Sequence, residues 1–401
     1  MRILFASLFM AVVVSWVSVA QVEEVEETAF KDSTALIIPV DSPTDLMDAD
    51  SVLSAPDSLM AADSLAILDS LRRAEAERKA VWARQRFEEG LSHKKLGEWN
   101  AAARCFREAL EADASLKEVW MHHGEVCLAQ GLLDEASRAY SQVLADTADA
   151  RAYLGKAKVL LAQREDHLAE PYLDTALRID SAIPEAWFLK ANRQFLLAEY
   201  AEALHGFNQV ISLDQQHAMA WHDRGSAQRM LGDLFEARNS YATALRLDST
   251  KAMFHTSMGA ILKELGDAAS AMMAFDEAVR LDPSDARAWN HKGVIHLGKE
   301  EFEDALAAFS RAIQAQPGWA MPWNNRGNAY YQSQRFNEAL NDYNEAIRLN
   351  RGYGIALMNR GNTQDMLQNM PAACEDWRRA EALGLTAAGK YVKMFCTNQN
   401  Q

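Results

Sequence analysis

A pattern that recurs about every 34 residues dominates the sequence from Ala83 onward. In each of nine blocks the eighth place holds a small residue and the twentieth place holds Ala. The blocks begin at Ala83, Lys117, Ala150, Pro184, Ala218, Ala252, Ala286, Ala320 and Gly354. A period of this length is typical of solenoids, in which each unit leaves an apolar face bare and must stack on a neighbour. The repeat therefore predicts one elongated array rather than several separate globular domains.

Bulky residues at a further place indicate that each block is a pair of helices. The twenty-fourth place is aromatic or Leu in every block: Phe106, Tyr140, Leu173, Phe207, Tyr241, Phe275, Phe309, Tyr343 and Trp377. Two antiparallel helices can pack closely only where a small residue lets the backbones approach, while bulky side chains fill the gaps between them. Because Ala is abundant and β-branched residues are scarce, the composition also favours helix over strand. The sequence predicts an all-α fold.

One block carries a resemblance to a known family. Residues 323–350 read WNNRGNAYYQSQRFNEALNDYNEAIRLN, which resembles a tetratricopeptide repeat almost letter for letter, and the pattern covers about three quarters of the chain. The resemblance implies a right-handed α-solenoid of about nine helix pairs at residues 83–383, with a capping helix and tail at residues 384–401. It also implies a function in binding other proteins or extended peptides, without catalysis.

The N-terminal region differs from the array. Residues 1–20 read MRILFASLFMAVVVSWVSVA, which predicts a secretory signal peptide cleaved after Ala20. An uncleaved membrane anchor is the alternative, because the apolar run falls just short of a bilayer span. Residues 21–57 are acidic and interrupted by prolines, so they predict a disordered linker, and residues 58–82 predict a helix that leads into the array. The chain is expected to be periplasmic or secreted.

The charge distribution argues against a nucleic-acid partner. The formal net charge is −15, and residues 21–70 alone carry twelve acidic side chains against a single base, Lys31. Clustered Lys and Arg supply most of the affinity for phosphate backbones, and the sequence has no basic stripe of that kind.

Sequence motifs for catalysis are weak. Residues 384–391, GLTAAGKY, match a phosphate-binding loop except that the last letter should be Ser or Thr, and they follow a helix where the motif needs a strand. The sequence contains no HExxH, GxSxG, GxGxxG or CxxC motif. We therefore predict no enzymatic activity, no small-molecule substrate and no cofactor.

The four cysteines form two pairs, and each pair is spaced by 22 residues: Cys105 with Cys127, and Cys374 with Cys396. An even count in an exported protein favours two disulfides, while free buried thiols are the alternative. His122 and His123 lie near Cys127, which is a metal-like combination. Because a fourth ligand would be a guess, packing or a disulfide is the prediction and no metal is expected.

Candidate binding residues follow from the family resemblance, in which the first helix of each pair lines the concave surface. The late repeats would place amides and one aromatic ring there: Asn290, Asn324, Asn325, Asn328, Tyr331, Asn359 and Asn362. The early repeats would place apolar side chains there, including Phe188 and Phe195. Rows of Asn suit an extended peptide, because amides can pair with backbone donors and acceptors.

Two alternatives to this interpretation stay open. The candidate residues could be an ordinary solvated helix surface. The protein could also be a structural subunit or assembly factor of a larger envelope or secretion complex, rather than a scaffold that binds partners in its groove. We expect all the candidate side chains to be exposed and replacement of Asn325 and Asn359 by Ala to leave folding nearly unchanged.

Overall fold

The computed structural model describes residues 60–396, with side chains from residue 65 onward. Within that part of the chain the protein is all-α, with nineteen helices and no strand. The predicted signal peptide at residues 1–20 and the predicted linker at residues 21–57 lie outside the described residues. Among the described helices, none combines the length and the apolar character that crossing a membrane requires.

The helices follow one another through short turns. Their bounds are α1 Met60–Lys95, α2 Trp99–Ala112, α3 Lys117–Ala129, α4 Leu133–Leu144, α5 Ala150–Ala162, α6 Asp166–Ile179, α7 Pro184–Leu196, α8 Tyr200–Leu213, α9 Ala218–Leu231, α10 Leu234–Leu247, α11 Ala252–Glu264, α12 Ala268–Leu281, α13 Ala286–Gly298, α14 Phe302–Ala315, α15 Ala320–Gln332, α16 Phe336–Leu349, α17 Gly354–Met366, α18 Met370–Ala382 and α19 Thr386–Phe395. After the first block, every block begins at the first residue of a helix. The odd-numbered helices α1 to α17 are the first helices of repeats 1 to 9, and the even-numbered helices are the second.

Helix α1 joins two predicted segments. It runs for 36 residues, so the helix that leads into the array and the first helix of repeat 1 form one continuous helix across residues 82 and 83. Its earlier part exposes several large apolar side chains, namely Leu65, Ile67, Leu71 and Val81. The array therefore begins inside a helix and not at a turn.

A left-handed residue reverses the chain between the two helices of each repeat. The residues in this conformation are Gly97, Gly131, Arg164, Ala198, Gly232, Gly266, Glu300, Gln334 and Gln368. The next residue then donates its N–H to a carbonyl five residues back, as from Leu132 to Cys127 at 2.8 Å. This pairing satisfies carbonyls that the helix end leaves free.

The small eighth place and the bulky twenty-fourth place meet inside the repeats. A Cβ atom built on Gly259 would lie 2.6 Å from a ring carbon of Phe275, which is closer than real Cβ contacts. Phe275 itself is fully buried. Removing such a ring would cost about 3–5 kcal/mol through lost burial and the cavity left behind. The twentieth-place Ala is also fully buried in all nine repeats.

The chain divides into two units, one ending at Lys190 and one beginning at Ala191. The N-terminal unit has apolar clusters around Phe106, Tyr140 and Leu173. The C-terminal unit has clusters around Tyr241, Phe275, Phe309 and Trp377. The core is therefore a series of small clusters, one for each repeat or two, as expected of stacked repeats.

Helix α19 packs on α18 and closes the C-terminal unit. The ring of Tyr391 stacks on Trp377 with centroids 5.0 Å apart, and Ala388 is fully buried. A disulfide joins Cys374 in α18 to Cys396 at the end of α19. The last repeat would otherwise expose its apolar side, so α19 covers the surface that a tenth repeat would cover.

Candidate functional site

The fifth place of the first helix is buried in seven successive repeats. These residues are Met121, Leu154, Phe188, His222, Thr256, Asn290 and Asn324. The prediction that Phe188, Asn290 and Asn324 are exposed is therefore wrong. For Asn290 and Asn324 the physical reason is that the fifth place faces the sixth place of the following repeat, and stacking excludes water from it.

Asparagine amides link these two places across the late repeats. Nδ2 of Asn325, at the sixth place, donates to Oδ1 of Asn290 at 3.0 Å. One repeat later, Nδ2 of Asn359 donates to Oδ1 of Asn324 at 3.0 Å and to Oδ1 of Asn328 at 3.0 Å. We call these five residues the Asn ladder. Its buried members are hydrogen-bonded, as buried amides must be, and they hold the half-buried members in position.

The expectation that Asn325 and Asn359 can be removed without loss of stability does not agree with these contacts. Replacing Asn359 by Ala would leave the buried amide oxygen of Asn324 without its donor. An unsatisfied buried acceptor costs about 1–3 kcal/mol. The ladder therefore contributes to the stacking of repeats, whether or not it also contacts a partner.

Aromatic residues of the second helices fix the ninth-place amides. The hydroxyl of Tyr343 donates to Oδ1 of Asn328 at 2.7 Å, and Nε1 of Trp377 donates to Oδ1 of Asn362 at 2.9 Å. Asn328 and Asn362 are half-buried. Within residues 60–396, Nδ2 of Asn362 has no hydrogen-bond acceptor.

The two aromatic candidates at the twelfth place lie against rings of their own repeat. Tyr331 packs edge-on against Phe336 with centroids 5.5 Å apart, and Phe195 packs in the same way against Tyr200 at 5.3 Å. Both Tyr331 and Phe195 are half-buried. Burial raises the pKa of the Tyr331 hydroxyl, so this group remains a neutral donor at physiological pH.

Buried ion pairs lie beside the ladder in repeats 8 and 9. The Arg326 guanidinium donates two hydrogen bonds to Asp342, both at 2.8 Å, and Arg360 donates two to Asp376 at 2.6 and 2.7 Å. Asp342 and Asp376 are buried. Both are bidentate pairs between the seventh and the twenty-third place of a repeat. The signal in the sequence that could have predicted them is an Arg and an Asp 16 residues apart in two successive repeats. Neither pair was predicted from the sequence.

The sixth place of repeat 7 carries a histidine instead of an amide. His291 stacks on Phe275 with centroids 5.1 Å apart, and its Nδ1 is a buried atom without a hydrogen-bond partner in the described part of the chain. Burial, with Lys263 and Arg229 nearby, lowers the pKa of His291 to about 4. The ring is therefore neutral at physiological pH.

The corresponding places of repeat 2 are charged. His122 and Glu125 occupy the sixth and ninth places, and Nδ1 of His122 lies 2.9 Å from a Glu125 oxygen and 3.0 Å from Nζ of Lys94. Burial acts to raise the pKa of Glu125, but the hydrogen bond from His122 and the charge of Lys94 outweigh it and lower that pKa to about 2. The carboxylate stays ionised across physiological pH.

The two cysteine pairs differ. Cys374 and Cys396 are bonded, whereas Cys105 and Cys127 are free and buried. The predicted bond between Cys105 and Cys127 is wrong, because each thiol packs among different side chains. Cys105 lies with Glu89 and His93 of its own repeat, and Cys127 lies with His123 and Glu135.

Three groups of side chains in residues 60–396 have the chemistry to hold a metal ion. They are Glu89, His93 and Cys105; His123, Cys127 and Glu135; and His296, Glu301 and Asp304. In the second group two of the three members are buried, which distinguishes it from the other two groups.

Stacked pairs of antiparallel helices with a recurring small–bulky contact define an α-solenoid built of repeats. Models described as tetratricopeptide repeat match residues 87–146, 128–184 and 258–318, and a further one matches residues 320–353. The chain is a tetratricopeptide repeat protein. Repeats of this kind form extended binding surfaces, and the fold is typical of non-catalytic interaction scaffolds.

Solved structures share the fold at low sequence identity. A tetratricopeptide repeat protein from Parabacteroides merdae ATCC 43184 is 18% identical, with a TM-score of 0.50 over 62% of this chain and 99% of that chain. The APC/C hetero-tetramer Cut9-Hcn1 is 17% identical, with a TM-score of 0.48 over 76% of each chain. PilW, a type IV pilus biogenesis factor, is 20% identical, with a TM-score of 0.47 over 50% of this chain and 92% of that chain. No curated protein matches the chain in sequence.

Proposed function

We propose that this protein is a scaffold that binds an extended segment of a partner protein along the first helices of its late repeats. The observation that carries the proposal is the Asn ladder, together with Asn362 at the following ninth place. Neutral amides can both donate to and accept from a peptide backbone, so they suit an extended chain without requiring a particular sequence.

Preorganisation is the physical advantage of the ladder. A free Asn side chain on a helix surface loses rotamer freedom when it binds, and that loss weakens the complex. Asn325 and Asn359 are already held by the buried amides of Asn290 and Asn324. Asn359 uses both of its amide hydrogens within the ladder and offers its Oδ1 as an acceptor, whereas Asn325 keeps one amide hydrogen and one acceptor site on Oδ1. These groups can therefore meet a ligand at a smaller entropic cost. Asn290 and Asn324 position the site rather than touch the ligand, because they are buried.

The early repeats supply a different contact in this proposal. Phe195 and Leu189 are half-buried on α7, and Leu196 at its end is exposed. Apolar side chains of this kind anchor a partner through burial, whereas amides align its backbone. Phe188 is buried and takes no direct part.

An envelope location completes the proposal. The apolar N-terminal run is typical of a secretory signal, and disulfides such as the one between Cys374 and Cys396 persist in oxidising compartments. We propose that the protein acts in the bacterial periplasm or outside the cell, binds neither nucleic acid nor a small-molecule substrate, and catalyses no reaction. Cell fractionation with an antibody against the chain tests the location, and recovery from the cytoplasm in reduced form would contradict it.

A peptide-display selection on the immobilised full chain tests the binding site. The selected peptides are then titrated against the wild type, against a variant with Asn325→Ala and Asn359→Ala, and against Ser257→Ala. Ser257 is the matched control, because its hydroxyl bonds His222 across repeats 5 and 6 in the same fifth-to-sixth-place geometry. We expect the double variant to lose about 1–3 kcal/mol of binding free energy for each bound group left unpaired. The control should bind like the wild type.

Two results would contradict the proposed site. One is that no peptide is enriched over a scrambled-library background. The other is that the double variant, at a temperature where circular dichroism shows it folded, binds the selected peptides as tightly as the wild type. The second result would make the ladder purely structural.

The alternative of a structural subunit rests on a different observation. Leu65, Ile67, Leu71 and Val81 of α1 are each more than half exposed. Ile67, Leu71 and Val81 lie on one face of this helix, and large exposed apolar side chains on one face are typical of a surface covered in a stable complex. Replacement of Ile67 and Leu71 by Lys should dissociate such a complex in native envelope extracts, measured by size-exclusion chromatography. Peptide binding by the late repeats should remain unchanged.

A further inference from the structure

We propose that repeat 2 holds a divalent transition-metal ion between α3 and α4, on the side chains of His123, Cys127 and Glu135. The ion that this donor set favours is Zn²⁺, which binds imidazole nitrogen, thiolate sulfur and carboxylate oxygen. This site lies in the N-terminal unit and does not depend on the proposed peptide-binding function.

The distances between the donor atoms fit such an ion. Sγ of Cys127 lies 3.6 Å from Nε2 of His123 and 3.9 Å from an Oε atom of Glu135, and all three donors lie within 4.8 Å of one another. Ligands at about 2.0–2.3 Å from a tetrahedral zinc ion are separated from one another by about 3.5 Å. Small side-chain shifts would therefore complete the coordination.

The backbone places the three residues rigidly. His123 and Cys127 are four residues apart on α3, so their side chains lie on the same face one turn apart. Glu135 lies in the first turn of α4, and the turn through Gly131 brings it back over α3. Because two ligands come from one helix and the third from the next, the ion would cross-link the two helices of the repeat.

The buried His123 ring lacks a strong hydrogen-bond partner in the described part of the chain. His123 and Cys127 are buried, and within residues 60–396 the only hydrogen-bond partner recorded for the His123 ring is the Cys127 sulfur. A weak sulfur contact satisfies a buried imidazole poorly. When the ion binds, the thiol releases its proton to solvent, so thiolate, carboxylate and dication together carry no net charge. Water on the half-buried Glu135 side supplies the fourth ligand.

A comparable group in repeat 1 lacks these features and offers the matched control. There His93 is committed to Glu98 through a 2.5 Å contact, and the Glu89 ligand is exposed. Cys105→Ser therefore removes a buried thiol from the same protein without touching the proposed site.

The test is a Co²⁺ titration of the chelator-treated full chain with the Cys374–Cys396 bond intact and Cys105 and Cys127 as free thiols. Co²⁺ in a tetrahedral site with a thiolate ligand shows a sulfur-to-metal charge-transfer band and visible d–d bands, and Zn²⁺ should displace it. We expect one Co²⁺ per chain in the wild type and in Cys105→Ser, and no charge-transfer band in Cys127→Ser. We expect Glu135→Gln to weaken metal binding by at least about 10-fold. Mutation of a residue that only hydrogen-bonds a metal ligand already lowers metal affinity by about that factor.

Specific outcomes would overturn the proposal. The wild type, with both free thiols shown to be reduced, could bind no Co²⁺ at micromolar concentration. The charge-transfer band could instead persist in Cys127→Ser or disappear in Cys105→Ser. If Cys127→Ser fails to fold by circular dichroism, Glu135→Gln decides, and wild-type affinity in that variant would also overturn the site.

Discussion

Repeat 2 and the last two repeats use the same places for different chemistry. At the sixth and ninth places repeat 2 has His122 and Glu125, whereas repeat 8 has Asn325 and Asn328. At the seventh place His123 stands where repeat 8 has Arg326, which is paired with the buried Asp342. The late repeats are therefore linked by neutral amides and contain buried bidentate Arg–Asp pairs. At these places repeat 2 instead has an imidazole and an ionised carboxylate that contact Lys94, and its seventh place belongs to the metal site proposed above.

The difference shows that the repeat leaves the polar places of its first helix free to vary. The eighth and twenty-fourth places carry the close helix packing in both regions, as with Gly124 against Tyr140 and Gly327 against Tyr343. Polar links between neighbouring repeats can then be charged or neutral without changing the fold. One array can therefore contain regions with different stability, pH response and partners.

The largest expected effect is loss of a buried ion pair in the last repeat. Arg360→Ala leaves the buried Asp376 carboxylate without its bidentate partner, so we expect a loss of about 3–5 kcal/mol in the free energy of unfolding. Denaturant unfolding measures it. The control is Arg348→Ala, whose pair with Glu345 is exposed and should be worth less than about 1 kcal/mol. If both variants lose the same free energy of unfolding, the buried Arg–Asp pairs of the late repeats add no stability beyond that of a surface pair.

The cysteines give the next largest contrast. The Cys374–Cys396 bond closes a loop with a separation of 22 residues, so its reduction should destabilise the last repeat by about 3 kcal/mol in the chain-entropy model. When the protein is unfolded without a reductant and then alkylated, mass spectrometry should show alkylation of Cys105 and Cys127 only. Alkylation at Cys374 and Cys396 as well would contradict an oxidised state. The same reductant should leave the stability of Cys374→Ser/Cys396→Ser unchanged.

Breaking the Asn ladder should cost less. Asn359→Ala removes the donor to the buried Asn324, and we expect about 1–3 kcal/mol of destabilisation. Native-state hydrogen exchange of α15 and α17 amides measures the local effect. Asn369→Ala is the control, because its amide contacts only the side chain of Gln364 at the surface. Protection factors that are the same in both variants would mean that the ladder does not stabilise stacking.

Acid should weaken repeat 2 more than the late repeats. The pKa of Glu125 is lowered to about 2 from its ordinary value near 4.5. A lowered carboxyl pKa stabilises the fold above pH about 4.5, and this contribution is lost as the pH falls toward about 2. Since more than a third of the side chain is exposed, we expect about 1 kcal/mol. Unfolding of the wild type and of Glu125→Gln from pH 6 to pH 3 tests this, and parallel profiles would contradict it.

The smallest effect concerns the turns. Repeat 2 has Gly131 at the left-handed position, whereas repeat 8 has Gln334 with φ of 61°. A side chain costs about 1 kcal/mol in this conformation, partly offset by the greater freedom of Gly in the unfolded chain. We expect Gln334→Gly to stabilise by about 0.5 kcal/mol and Gly131→Gln to destabilise by about as much. Thermal unfolding of both variants measures the difference, and a shift of the same sign in both would be contrary to this account.

The helix pairs and their internal contacts could be predicted from the sequence alone. A small residue at the eighth place and a bulky one at the twenty-fourth recur in every block, and the predicted block starts after the first coincide with the first residues of helices. This works because the contact lies within a single repeat. The two residues are close along the chain, and their sizes must match wherever two helices pack closely.

Only the tertiary structure decided which polar side chains are buried and what they contact. The sequence predicted the Asn residues as a surface row, but stacking buries the fifth place and links it to a residue 35 positions later, as from Asn290 to Asn325. In the same way, Cys105 and Cys127 pack among different side chains, and the turn inside repeat 2 brings Glu135 to His123 and Cys127. These outcomes depend on where side chains from different helices point at a shared interface. The 34-residue period carries no information about these contacts, because the period stays the same whichever residue type occupies a given place of the repeat.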